Sequence, residues 1–170
     1  MKTKLILALV LSGMATVAII IFYNRCLKVP AAEQICAAAM AGDLDGLKKQ
    51  EAKGVSLNYQ DHHARDWTPL TCAIFHQQTN IVQYLLTRNL NLDLQDTSGK
   101  TALMWAIEMD DTNAVRLLLE KGADVTIKDK DGTDAFSWAN VESGDARAHR
   151  ELYLEWLNAF KDKNKSSNKP

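Results

Sequence analysis

Three groups of side chains in this chain of 170 residues have types and spacings that chemistry uses. Asp61-His62-His63 offers two imidazoles and a carboxylate, donors that hold zinc and similar metals. Adjacent histidines on a turn point in different directions, however, and no cysteine or third histidine stands at ligand spacing. Glu108, Asp110 and Asp111 bring three carboxylates together, the raw material of general acid–base catalysis. They fall at the end of an expected helix, at an exposed position where carboxylates are ordinarily solvated. Gly-rich phosphate loops and nucleophile motifs are missing from the sequence. The chain is therefore read as a non-enzyme, with no catalytic residue, metal ligand, cofactor or small-molecule substrate. Cys26, Cys36 and Cys72 complete the reactive inventory, and their odd number argues against a full disulfide framework.

The elements that would position these residues follow from charge and hydropathy. The segment 1–28 carries four of the 20 basic side chains and no acid; the segment 161–170 carries four more with one acid. The stretch between them keeps 12 basic and 20 acidic side chains, a net charge of −8. An acidic body of that kind repels phosphate backbones, so no nucleic-acid partner is expected.

Lys2 and Lys4 precede an apolar run from Leu5 to Phe22, broken only by Ser12, Gly13 and Thr16. Eighteen residues of helix span roughly 27 Å, close to the ~30 Å hydrocarbon core of a bilayer. Tyr23 stands where an interfacial aromatic belongs, and Asn24 and Arg25 end the run. Residues 1–28 are read as an uncleaved signal anchor. The competing reading is a cleaved signal that leaves a soluble periplasmic protein, although a signal's apolar region runs to only about 7–15 residues. Two lysines and the α-amine before the span slightly outweigh Arg25 and Lys28 after it. That bias places the N-terminus inside and the body in the periplasm, on a single-pass inner-membrane anchor.

The body repeats itself at a constant step. Thr68-Pro69-Leu70-Thr71-Cys72-Ala73 recurs as Thr101-Ala102-Leu103-Met104-Trp105-Ala106, and again as Asp134-Ala135-Phe136-Ser137-Trp138-Ala139. Ile81-Val82 and Leu85-Leu86 recur at the same step as Ala114-Val115 and Leu118-Leu119. Asp96-Thr97-Ser98-Gly99-Lys100-Thr101 aligns with Asp129-Lys130-Asp131-Gly132-Thr133-Asp134, and Lys121-Gly122-Ala123-Asp124-Val125 closes a unit. This pattern resembles the ankyrin repeat: a T-P-L-x-x-A opening, a V-x-x-L-L helix, a G-A-D-V ending and a D-x-x-G-x-T turn. The resemblance covers roughly Ala32 to Phe160 and implies an all-α solenoid of about four helix-turn-helix units with short β-turn loops, preceded by one transmembrane helix. The units are residues 32–64, 65–97, 98–130 and 131–160 of a domain spanning 29–160, and residues 161–170 are expected to be a disordered basic tail.

Local chemistry agrees with that division. Thr68 and Thr101 are N-cap candidates, Gly122 suits a left-handed helix end, and Gly99 and Gly132 suit tight turns. No helix here buries its stripe alone, so stacking must supply the stability. In the first unit Gln50 and Glu51 replace the Leu-Leu pair and are expected to face solvent. Gly144 to Phe160 is expected to form a longer amphipathic terminal helix, with Leu152, Trp156, Leu157 and Phe160 buried. The first connection is two residues longer than the others and carries Asp66 where the turn glycine belongs; Asn89 occupies the C-cap place of the second unit. Trp105 and Trp138 fall at inward positions. Cys72 occupies a core-type position one register step from Cys36, so a bridge between them is conceivable in an exported body. Cys26, beside the membrane, suits acylation, an inter-chain bond or no role.

In proteins of the family this chain resembles, partners touch the turn tips and the exposed part of the first helix. Carried over residue by residue, that gives Arg65, Trp67, Phe75 and His76 in unit two, Lys100, Glu108 and Met109 in unit three, and Val141 and Glu142 in unit four. Large apolar residues at exposed positions mark protein interfaces, and Trp dominates hot spots. Trp67, Phe75 and Met109 are thus the expected centre of a partner surface; the alternative is that the long first turn folds Trp67 onto its own unit. Small exported bacterial ankyrin proteins include immunity proteins that neutralise secreted toxins such as phospholipase effectors, and this chain is similar in arrangement. A scaffold or chaperone-like factor supporting a periplasmic enzyme is the other reading.

Overall fold

A computed structural model describes residues 31–62, 65–140 and 149–167. Residues 1–28, read as the anchor, lie outside the described residues, as do His63, Ala64, Val141 and Glu142. Among the described residues no helix is long and apolar enough to cross a membrane.

Among the described residues eight helices follow one another in pairs: α1 (Ala31–Ala41) with α2 (Leu44–Ala52), α3 (Pro69–Phe75) with α4 (Thr79–Leu86), α5 (Ala102–Glu108) with α6 (Thr112–Glu120), and α7 (Ala135–Asn140) with α8 (Arg150–Ser167). The first helices start where a side chain caps them. Thr68 and Thr101 accept from the Thr71 and Met104 amides, and Asp134 accepts from that of Ser137. Pro69 at the first position of α3 sacrifices no amide that the helix would have used. α3 packs on α5 and α5 on α7, while α4 packs on α6 and α6 on α8. The seam between these rows is apolar: Ile74, Ile81, Leu85, Leu103, Ile107, Leu118 and Leu157 are fully buried. Each unit is one supersecondary element whose stripe is covered by its neighbour.

Within each of the first three units the two helices are joined at one left-handed residue: Gly42 (φ 72°), Gln77 (φ 55°) and Asp110 (φ 53°). Gln77 and Asp110 bear a Cβ penalty there that Gly42 escapes. The second helices end differently from unit to unit. Gly122 adopts φ 90°, and the Ala123 amide reaches back to the Leu118 carbonyl at 3.0 Å, closing the last turn. Gly54 and Val55 do the same for α2. Asn89, in the C-cap place, does not take the left-handed conformation that Gly122 takes; α4 closes through the Thr87 and Arg88 amides.

Two further expectations change. Gln50 is 7% exposed, not solvated, because it lies on the seam with α1, where its amide donates to Gln34 Oε1 at 2.8 Å. Glu51 is half-buried, accepts from the Tyr84 hydroxyl and pairs with Arg88 at 3.3 Å across the junction with unit two. Both positions face neighbouring helices, so polar residues there are satisfied rather than exposed. At the other end α8 continues to Ser167, so much of the segment read as a disordered tail prolongs the helix. Tyr153 and Leu157 are its buried residues, with Leu152, Trp156 and Phe160 half-buried beside them.

Candidate partner-binding surface

The turns between units are organised by buried aspartates. Asp96 Oδ1 accepts the Ser98 and Lys100 amides at 2.8 and 2.9 Å, and Asp129 Oδ1 accepts those of Asp131 and Thr133 at 3.0 and 2.8 Å. The second oxygen reaches inward. Asp96 Oδ2 accepts the indole N–H groups of both Trp67 (3.2 Å) and Trp105 (3.0 Å), and Asp129 Oδ2 that of Trp138 (2.8 Å). Asp61, also buried, holds the same place in the first turn and forms a β-bridge with Trp67. The turn residue that follows is left-handed each time: Asp66 (φ 57°), Gly99 (φ 80°) and Gly132 (φ 79°). Asp66 thus fills the glycine role, and Arg65 beside it is left-handed too (φ 60°), the backbone adjustment that goes with the longer first connection.

Successive tips are locked together through their backbones. The Thr97 amide donates to the Arg65 carbonyl at 2.9 Å, and the Lys130 amide to the Ser98 carbonyl at 3.0 Å. Gln60 spans to the Gln95 carbonyl and Gln95 to that of Lys128, both at 2.9 Å. Gly99 has a steric reason beyond its φ, since a Cβ there would lie 2.7 Å from the Lys130 nitrogen. The exposed side chains of Arg65, Thr97, Ser98, Lys130 and Asp131 therefore stand on one hydrogen-bonded edge.

The residues expected at the centre of a partner surface sit otherwise. Trp67 is only 8% exposed. Its ring packs on Phe75 (4.7 Å between centroids) and edge-on to Trp105 (5.3 Å), and its N–H is taken by Asp96. This corrects its reading as an exposed hot spot: the long first turn folds the indole into the junction between units two and three. Phe75 is half-buried on the same cluster, and His76, exposed, lays its ring edge against Phe75. Lys100 and Glu108 pair with each other at 2.6 Å, with the Lys100 ammonium over the rings of Trp105 (4.5 Å) and Trp138 (3.9 Å). They are thus largely occupied with each other and the tryptophans. Met109 is half-buried and borders a polar cavity of about 270 Å³ with Gln77, Thr79, Asp110, Asp111 and Thr112, away from the tips. Among the described candidates, Arg65 and His76 are the exposed ones.

Other candidate chemistry is absorbed by structure. Asp110 Oδ1 accepts from the Tyr153 hydroxyl at 2.8 Å and Asp110 Oδ2 faces His149 Nδ1 at 3.1 Å, which fastens α8 to unit three. Asp111 caps α6. His62 pairs with Asp66, and no group of three or more ligating side chains that could hold a metal occurs among the described residues. The Asp–Trp staples and the Asp110 latch were missed in the sequence. The recurrence of Asp61, Asp96 and Asp129 from turn to turn was the available signal for the first; the second has none, because Tyr153 lies in the irregular last unit.

No curated protein matches this chain. A family model described as ankyrin repeats, in three copies, matches residues 35–129. Those limits take in the first three helix pairs from Ile35 onward and end at Asp129, and the α7–α8 pair lies beyond them. Paired helices, left-handed turn residues and tips tied across units are all in agreement with that match, and the chain belongs to the ankyrin repeat family.

Proposed function

We propose that this protein is a membrane-tethered binding module that grips one partner protein outside the cytoplasm and neutralises it, as an immunity protein does for a secreted toxin such as a phospholipase. Ankyrin repeats serve as protein–protein interaction modules, which supports the binding part of the reading. The single observation that carries it is the edge of tips locked through Arg65, Thr97, Ser98 and Lys130. A backbone already locked at the tips loses little conformational freedom on binding, so only the side chains remain to be ordered there. Arg65 and His76 are the proposed contacts in unit two, with Trp67 and Phe75 acting beneath them as a packed support. The tether rests on the Leu5–Phe22 run and its basic flank.

Alkaline phosphatase fused after Pro170 is expected to be active and membrane-bound; an inactive fusion overturns export. The detergent-solubilised full chain is then used to capture its partner from envelope extract. The partner's own activity should fall on binding, and Arg65→Asp should weaken capture at least tenfold without lowering the melting midpoint. A partner held equally well by Arg65→Asp, with its activity intact, overturns neutralisation and favours the scaffold reading.

A further inference from the structure

Two thiols meet in the core at the junction of the first and second units. Cys36 on α1 and Cys72 on α3 are both free and fully buried, and Cys72 lies near enough to push the Cys36 thiol up. Cys36 Sγ also approaches the Trp67 carbonyl at 3.8 Å, just ahead of the helix that carries Cys72. The two thiols thus come from neighbouring repeats, distant in sequence, and lie in one part of the core.

This junction is tied differently from the later ones. Where units two and three share a continuous leucine seam, the first unit supplies Gln50 and Glu51. It is held to unit two by polar links: Glu51 to Tyr84 and Arg88, Gln78 to the Met40 carbonyl at 3.1 Å, and Asn80 to the Gly42 carbonyl at 3.3 Å. A terminal repeat has one neighbour only, and that is where an array frays first.

We propose that Cys36 and Cys72 form an inter-repeat disulfide that staples the first unit to the array, made by exchange with a disulfide oxidant such as oxidised glutathione or a thiol oxidase. One cysteine thiolate attacks a sulfur of the oxidant's disulfide, forms a mixed disulfide and releases one thiolate. The second cysteine thiolate attacks the protein sulfur of that mixed bond and expels the other thiolate. The protein loses two protons and two electrons, and the oxidant's disulfide takes them up to become two thiols. The timing follows from the site. The neighbouring Cys72 thiol and burial both push the Cys36 thiol up in the folded state, so the thiolate needed for attack is scarce there. Exchange therefore belongs to folding, before α1 seats on α3, and the finished bond is shielded from reductant afterwards.

The test uses the full chain in detergent carrying Cys26→Ser, so that only the two core thiols remain. It is unfolded in urea and refolded with reduced and oxidised glutathione, then mapped by peptide mass spectrometry. The expected product is an internal Cys36–Cys72 bond, with the loss of two hydrogens. Its melting midpoint should lie at least about 5 °C above that of the same protein refolded under reductant. Cys36→Ala and Cys72→Ala should abolish both the bond and the shift. Free thiols, glutathione adducts without a bridge, bonds only between chains, or a bridge with an unchanged or lower midpoint would each overturn the proposal.

Discussion

Replacing Asp96 tests whether the turn aspartates hold the array together. This one carboxylate accepts four hydrogen bonds, two from turn amides and two from the indoles of Trp67 and Trp105, and it is itself 7% exposed. In Asp96→Ala the amides of exposed Ser98 and half-buried Lys100 regain water at little cost. The two indole N–H groups cannot, because Trp67 and Trp105 are 8% and 5% exposed. A buried donor left without an acceptor costs about 1–3 kcal/mol, so the expected loss is roughly 3–5 kcal/mol once the lost turn bonds are added. Asp96→Asn is not a conservative change. Its oxygen can keep the amides, but its NH₂ then faces two indole donors, and a loss of about 2–3 kcal/mol is expected. Urea unfolding followed by tryptophan fluorescence and far-UV circular dichroism measures both. The double variant Asp96→Ala/Trp67→Phe adds specificity: with one orphaned donor removed, its loss should fall short of the sum of the singles by at least about 1 kcal/mol. A loss below about 1 kcal/mol for Asp96→Ala, or additive singles, would refute the reasoning.

The same structure gives expectations for five more substitutions. Trp67→Ala should lower stability by about 3–5 kcal/mol, because the indole is packed between Phe75 and Trp105; a melt equal to that of the unaltered chain would return it to the surface. Gln77→Gly should raise stability by about 0.5–1 kcal/mol in the same urea assay, since φ 55° suits glycine and the side chain is exposed. Gly99→Ala should cost more than about 1 kcal/mol, measured by thermal melts, given its φ of 80° and the close approach of Lys130. Leu118→Ala should cost about 2–5 kcal/mol and Gln50→Ala about 1 kcal/mol, the latter through loss of one part-buried hydrogen bond to Gln34.

The repeat and much of its local geometry were written in the residues themselves. The constant repeat step, Thr68 and Thr101 at helix starts, and the glycines Gly99, Gly122 and Gly132 each report a backbone requirement that a short stretch of chain imposes on itself. Caps and left-handed turns depend on neighbours within a few residues, so spacing alone locates them. The fate of the large and polar side chains was decided elsewhere. Trp67 looks exposed by its register, yet the Asp96 carboxylate and the Trp105 ring, both supplied by the following stretch of the array, draw it inward. Gln50 looks like a solvated cap until α1 covers it, and Asp110 like a free acid until Tyr153, from the last unit, reaches it. Burial and pairing are properties of the stack, set by how one unit's side chains meet the next, and a repeat pattern specifies that the units stack without specifying what each side chain finds across the junction.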